Sequence, residues 1–102
     1  MKEYDIFVPL FHNDGRRIDR RVFRFIHRAP LDQFNGVTFF PQPNQGSWRA
    51  GGVTYRDRIV VYRVLCRGTA IDREFLVDLK VTLKRELQQE EILIIERDVK
   101  TL

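Results

Sequence analysis

Two stretches with apolar residues at helical spacing interrupt four strand-like runs, and this alternation is the tightest constraint on how a 102-residue chain can fold. The firmest of the six segments is the second helix. Gly68-Thr69 breaks the strand pattern before it, and Thr69 followed three residues later by Asp72 fits a capping box, with Asp in place of the usual Glu. The helix is predicted from Ala70 to about Gln89, with Leu76, Leu79, Leu83 and Leu87, joined by Phe75, as its buried stripe. The first helix starts from Asp19 as N-cap. Ile18, Val22, Phe25, Ile26 and Ala29 form its stripe, and Pro30 is expected to end or kink it near Ala29, with Leu31 and Phe34 in a short further turn.

The strands follow from β-branched and aromatic enrichment. Tyr4 to Phe11 is the first, with Ile6, Val8 and Leu10 on one face and Phe7, Pro9 and Phe11 on the other. Val37-Thr38-Phe39-Phe40 is the second, followed by an irregular segment from Pro41 to Gly46. A turn at Ala50-Gly51-Gly52 lets the residues before it pair with Val53 to Cys66, which predicts a long hairpin with a bulge near the prolines. Ile92 to Ile95 is the last strand. The order β-α-β-β-α-β in a chain of this length predicts a single α+β domain over residues 1–102. Its expected form is a ferredoxin-like antiparallel sheet with both helices on one face and strands one and three in the centre. Pro9 in a central strand conflicts with this scheme unless it lies at a strand end or bulge.

The two sides of the sheet raise the functional question. In the third strand Val60, Tyr62, Val64 and Cys66 alternate with Ile59, Val61, Arg63 and Leu65, so both faces are largely apolar. An antiparallel sheet with one wet face alternates apolar and polar residues. Helices cover only one face here, so the other needs a cover: a second copy of the chain, the hairpin or a ligand. Self-association into a homodimer or higher oligomer is the preferred expectation, with Phe7, Phe11, Ile59, Val61 and Leu65 as its interface.

Charge offers a second surface. The 18 basic residues, 14 Arg and 4 Lys, exceed the 14 acidic ones, a net charge of +4. Arg17, Arg21, Arg24 and Arg28 are spaced to share one helix face, and only Arg28 has an acid four residues on, Asp32. Arginines near a helix N-terminus oppose the helix dipole, so this stripe is not built for helix stability. It suits a phosphate, a nucleic-acid backbone or an acidic partner, or it is a solvated outer face. A third group is the hairpin, where Trp48, Arg49, Tyr55, Arg56, Asp57 and Arg58 gather aromatics with arginines, a composition for stacking and anion recognition or for anchoring the hairpin.

At this point the chain resembles something known. The opening strand and helix, Gly36-Val37-Thr38, Gly46-Ser47-Trp48, the glycine turn and the long strand after it resemble a group of short bacterial proteins of uncharacterised function. The resemblance runs over roughly residues 4 to 98. It implies ferredoxin-like topology and no particular reaction. Pro30 and the arginine-rich first helix depart from that pattern, so the resemblance does not extend to the stripe.

Catalysis has little support. His12 and His27 stand 15 apart with no metal-ligand spacing, so no metal or cofactor is expected. Cys66 falls in the apolar run facing the helices, as a small hydrophobe would. Asp57, Glu74 and His12 could meet as an acid/base set, though nothing in their spacing requires it. The longest apolar run, Ile6 to Phe11, is six residues, so no membrane span is expected. The acidic start predicts no signal peptide, and the single cysteine predicts a reduced, cytoplasmic setting. The leading expectation is therefore a non-enzymatic self-associating module that binds a small ligand or an acidic partner. The alternatives are phosphate-led nucleic-acid binding through the arginine stripe, and a small-molecule enzyme of the dimeric ferredoxin-like type. The third strand lacks the aromatic signature of an RNA-recognition motif, so nucleic acid would be held by its phosphates.

Overall fold

The computed structural model describes residues 1–102. Its elements are β1 (Lys2–Pro9), α1 (Arg20–Phe34), β2 (Thr38–Ala50), β3 (Val53–Cys66), α2 (Ala70–Glu86) and β4 (Ile94–Asp98). The strands form one antiparallel sheet in the order β2-β3-β1-β4. This is the ferredoxin-like arrangement, with β1 and β3 central as the element order requires. Tyr4, Ile6 and Val8 of β1 and Val60, Tyr62, Val64 and Cys66 of β3 face the helices. They pack with Ile26 of α1 and with Leu76, Leu79, Leu83 and Leu87 along and just past α2. No helix is long and apolar enough to cross a membrane.

Several boundaries move for physical reasons. β1 begins at Lys2 and stops at Pro9 instead of continuing to Phe11. Pro9 closes the central strand opposite Ile59, where its missing N–H interrupts nothing further along. Phe11 thus lies outside the sheet, bridged to Arg17. α1 does not end near Ala29. It runs through Pro30, whose ring is fully buried, and closes at Asn35 in the left-handed region, with the Asn35 N–H on the Leu31 carbonyl. Packing at Pro30 outweighs the hydrogen bond that proline cannot give to Ile26. β2 is one 13-residue strand that spans Pro41 and Pro43 by a register shift between Phe40 and Asn44. Gly51 and Gly52 make a two-residue turn with positive φ at both positions, 56° and 78°, the conformation that lets a tight hairpin follow the strand twist. α2 ends at Glu86, earlier than Gln89, and β4 starts at Ile94, later than Ile92.

The capping box is present. Thr69 Oγ1 accepts from the Asp72 N–H at 3.2 Å, and Asp72 Oδ2 accepts from the Thr69 and Gly68 N–H groups at 3.1 Å each. Gly68 has φ +77°, and a Cβ there would fall 2.1 Å from Lys2 Cγ. Thr69→Ala removes the cap and is expected to cost about 1 kcal/mol. Thermal unfolding should then show a midpoint lower by about 5 °C. An unchanged midpoint would mean Asp72 alone holds the helix start.

Candidate functional site

The helix-free face is not apolar throughout, and this corrects the sequence-based expectation. Glu3 and Asp5 on β1, Arg63 on β3 and Arg97 on β4 share one end of it. Asp5 is only 3% exposed. Its two carboxylate oxygens accept from Arg63 Nε at 2.7 Å and Arg63 Nη2 at 3.0 Å, and Oδ2 also accepts from Arg97 Nη1 at 2.8 Å. Glu3 lies 3.1 Å from Arg63 and 3.6 Å from Arg97. The Arg63 guanidinium sits 5.0 Å over the Phe40 ring. Arg63 foremost, then Arg97, hold the Asp5 carboxyl below the usual carboxylate range against the opposing effect of burial. Asp5 in turn raises Arg63 further. A buried carboxylate held by two guanidiniums has its own lone pairs satisfied, so at Asp5 this end acts as a structural anchor.

The other end of the face is a hollow of about 350 Å³. Its floor is Phe7 and Pro9 of β1 and Ile59 of β3. Gly46, Ser47, Trp48 and Asp57 of the hairpin form one wall, and Gln89, Glu91, Ile92 and Leu93, between α2 and β4, form the other. Trp48 pairs with Tyr55 across the hairpin and stacks on it, ring centroids 4.5 Å apart and planes 17° apart. Its Nε1 donates to Asp57 Oδ2 at 2.7 Å. The lone tryptophan is therefore fixed in orientation while 40% exposed. Two carboxylates line this hollow and no basic side chain does. Glu91 is engaged with Lys80 at 2.8 Å, which lowers its pKa and leaves Asp57 as the acceptor with free lone pairs.

A second, polar hollow of about 270 Å³ lies across Asp57, between the outer half of β3 and the loop after β1. Phe11, His12, Asn13, Gly15, Tyr55, Arg56, Asp57 and Arg58 line it. His12 Nδ1 lies 3.1 Å from the Leu87 carbonyl oxygen. A carbonyl only accepts, so this nitrogen carries the proton and Nε2 is left free. His12 and Asp57 thus share a hollow, but Glu74 does not join them. It sits in the first turns of α2 while His12 binds the carbonyl just past the helix end, 13 residues on, about 20 Å along the axis.

The remaining predicted residues divide. α1 begins at Arg20, so Arg17 precedes the helix and only Arg21, Arg24 and Arg28 share its face. Arg28 pairs with Asp32 at 3.2 Å, whereas Arg17, Arg21 and Arg24 are exposed without a carboxylate partner. In the hairpin, alternation along β3 puts Tyr55 and Asp57 toward the helix-free side and Arg56 and Arg58 toward the helix side. Arg49 Nε donates to Thr54 Oγ1 at 3.3 Å. Of the interface set, Phe7, Ile59 and Val61 are half-buried on the helix-free face, and Leu65 is 43% exposed there. Cys66 is buried toward the helices, and that burial pushes its thiol up, away from thiolate chemistry.

The sequence matches no protein-family model and no curated protein. The likeness is to a solved structure. A phage SAM lyase in complex with S-methyl-5'-thioadenosine superposes with a TM-score of 0.69 at 14% sequence identity, over 95% of this chain and 80% of that one. At that identity the likeness establishes a common fold. Gln89 to Leu93 were not singled out as site residues: the sequence reads them as the end of the second helix and the start of the last strand, and only the fold brings them opposite the hairpin. Glu3 and Asp5 did leave a signal, two acids at the strand period of two, whereas Arg63 and Arg97 are brought beside them only by the strand pairing.

Proposed function

We propose that this chain is a self-associating α+β module that holds a small, flat, cationic ligand in the hollow beside Trp48. The observation that carries this is the Trp48–Asp57 pair, an immobilised aromatic surface joined to a carboxylate in a mainly apolar recess. An apolar wall with one well-placed polar group is the usual build of a small-molecule site, and about 350 Å³ falls at the small end of the roughly 300–1,000 Å³ range. A ring lies against the apolar wall, and a positive centre meets Asp57 on the side where no arginine or lysine lines the hollow, Arg56 and Arg58 lining the recess beyond it. Self-association is supported by apolar side chains exposed on the helix-free face: Leu93 at 54% beside the hollow, and Leu65 at 43% and Phe40 at 38% toward the ion cluster.

The phage neighbour's reaction class and bound nucleoside supply a matched pair of probes. S-adenosylmethionine carries a sulfonium charge, and S-methyl-5'-thioadenosine is its neutral nucleoside thioether. Emission from Trp48 should change on addition of either, with the cation tighter. Asp57→Asn should weaken the cation about tenfold or more, the scale of a charge-assisted hydrogen bond, and leave the thioether nearly unaffected. Sedimentation should show a dimer or larger species that persists at high salt, because the contact is apolar. A silent Trp48 with both probes, or a clean monomer at micromolar concentration, would overturn the corresponding half of the reading. Catalysis on such a ligand is a second reading, favoured by the neighbour's being a lyase. Release of S-methyl-5'-thioadenosine from S-adenosylmethionine in the same mixture would assign it.

A further inference from the structure

Six of the fourteen arginines are paired with carboxylates, at positions 16, 28, 63, 73, 85 and 97. Seven of the eight others fall between Arg17 and Arg58, on α1, its approach and the hairpin. The charge is divided along the chain in the same sense. Residues 1–68 carry twelve basic and six acidic side chains, and residues 69–102 carry six and eight. The backbone joins the two free groups. Leu10 donates to the Arg58 carbonyl at 2.9 Å, and Ile18 donates to the Leu10 carbonyl at 3.1 Å. The segment after β1 therefore runs between Arg58 on one side and the bridged Arg17 on the other. Two strand spacings separate those arginines, about 10 Å.

Between them lies the polar hollow with His12, Phe11 and Tyr55 on its walls. β1 ends at Pro9, so the outer half of β3 has β2 on one side and no strand on the other. Asp57 is the one acid at this hollow, and Trp48 Nε1 occupies its Oδ2 from the opposite side. Unpaired arginines flanking two aromatic rings in a shallow recess are the elements of single-strand recognition: guanidiniums take phosphates and rings take bases. Arginines about 10 Å apart with rings between them suit the regular phosphates and intervening bases of a single strand better than the scattered carboxylates of an acidic protein surface.

We propose that the recess between the hairpin and the Phe11–Gly15 loop binds single-stranded nucleic acid, with Arg17, Arg20, Arg56 and Arg58 on the phosphates. The site is separate from the hollow beside Trp48, and none of these four arginines lines that hollow. Recognition is led by phosphate and does not depend on sequence.

The test is fluorescence anisotropy with a fluorescein-labelled 20-mer of deoxythymidine. Four phosphate contacts predict that affinity falls about 50-fold between 50 and 200 mM salt. Changing all four arginines to Gln should abolish measurable binding, while Arg67→Gln, which removes an unpaired arginine outside the recess, should stay within threefold of the parent. Circular dichroism checks that the fourfold variant is folded. If it is not, amide shifts of the unmodified chain on adding the 20-mer decide the matter, and they should centre on residues 11–17 and 55–58. Equal loss in Arg67→Gln, retained binding in the fourfold variant, or shifts confined to α2 and β4 would overturn the proposal. Displacement by inorganic phosphate at equal phosphate concentration would overturn it too, since it would mark a small-anion site.

Discussion

Asp5→Ala should lower the stability of this protein by about 3 kcal/mol at neutral pH, which for a chain of this size lowers the melting midpoint by about 15 °C. Asp5 is almost fully buried and accepts three hydrogen bonds from Arg63 and Arg97. Removing it leaves two guanidiniums crowded at one end of the sheet, with Glu3 as their only other carboxylate. The loss stays near the low end for a buried pair because both arginines are partly exposed, at 37% and 43% of their side-chain surface, and Glu3 persists. The effect depends on pH with a definite sign. The folded state holds the Asp5 carboxyl below its ordinary value, so the ionised group stabilises the fold above about pH 4. That contribution disappears as the pH falls through the folded value. Urea midpoints of the parent and Asp5→Ala should therefore be far apart at pH 7 and converge toward pH 2. A gap that stayed constant with pH would show that Asp5 acts by shape alone.

Alkali should destabilise the chain through two tyrosines. Burial and a hydrogen bond from Tyr4 Oη to Glu96 at 2.7 Å push the Tyr4 phenol up to about 12. Burial alone pushes Tyr62 up to about 12. Both lie under the helices at 4% and 3% exposure. In the unfolded chain a phenol ionises near pH 10, so the unfolded state sheds these protons first. Stability is intact below pH 10 and falls as the pH rises toward 12, by about 2–3 kcal/mol for each tyrosine. Tyr62→Phe keeps the ring, its stack on Phe39 at 4.6 Å and its packing, so it should match the parent at pH 7 and exceed it at pH 11.5. The Tyr4→Phe, Tyr62→Phe pair should flatten the alkaline limb. The same steep limb in the double variant would place the source elsewhere.

The architecture was largely legible because its signals are local. Thr69 and Asp72 mark the start of α2, two glycines mark the hairpin turn, and the order of elements fixes which strands lie inside. The errors came where a distant partner decides. Pro30 normally breaks a helix, but burial of its ring carries α1 on to Phe34. β1 shows Glu3 and Asp5 in strand alternation, yet only the sheet order reveals Arg63 and Arg97 on either side of them. For this reason the helix-free face looked apolar when it is divided into an ion cluster and a hollow. The hollow beside Trp48 was half visible. Trp48, Tyr55 and Asp57 stood close together in sequence, while Gln89 to Leu93 reach them only through the fold.

The two prolines of β2 also limit how copies of this chain can meet. β2 is the outermost strand and runs 13 residues with open backbone groups along one side. Pro41 and Pro43 offer no N–H, and the register shift beside them bends the margin. A second chain aligning there would lose rungs of any shared ladder just where the strand begins. Lateral strand addition, the route to fibres, is thereby hindered over the first half of that edge, while Asn44 to Ala50 keep their backbone donors.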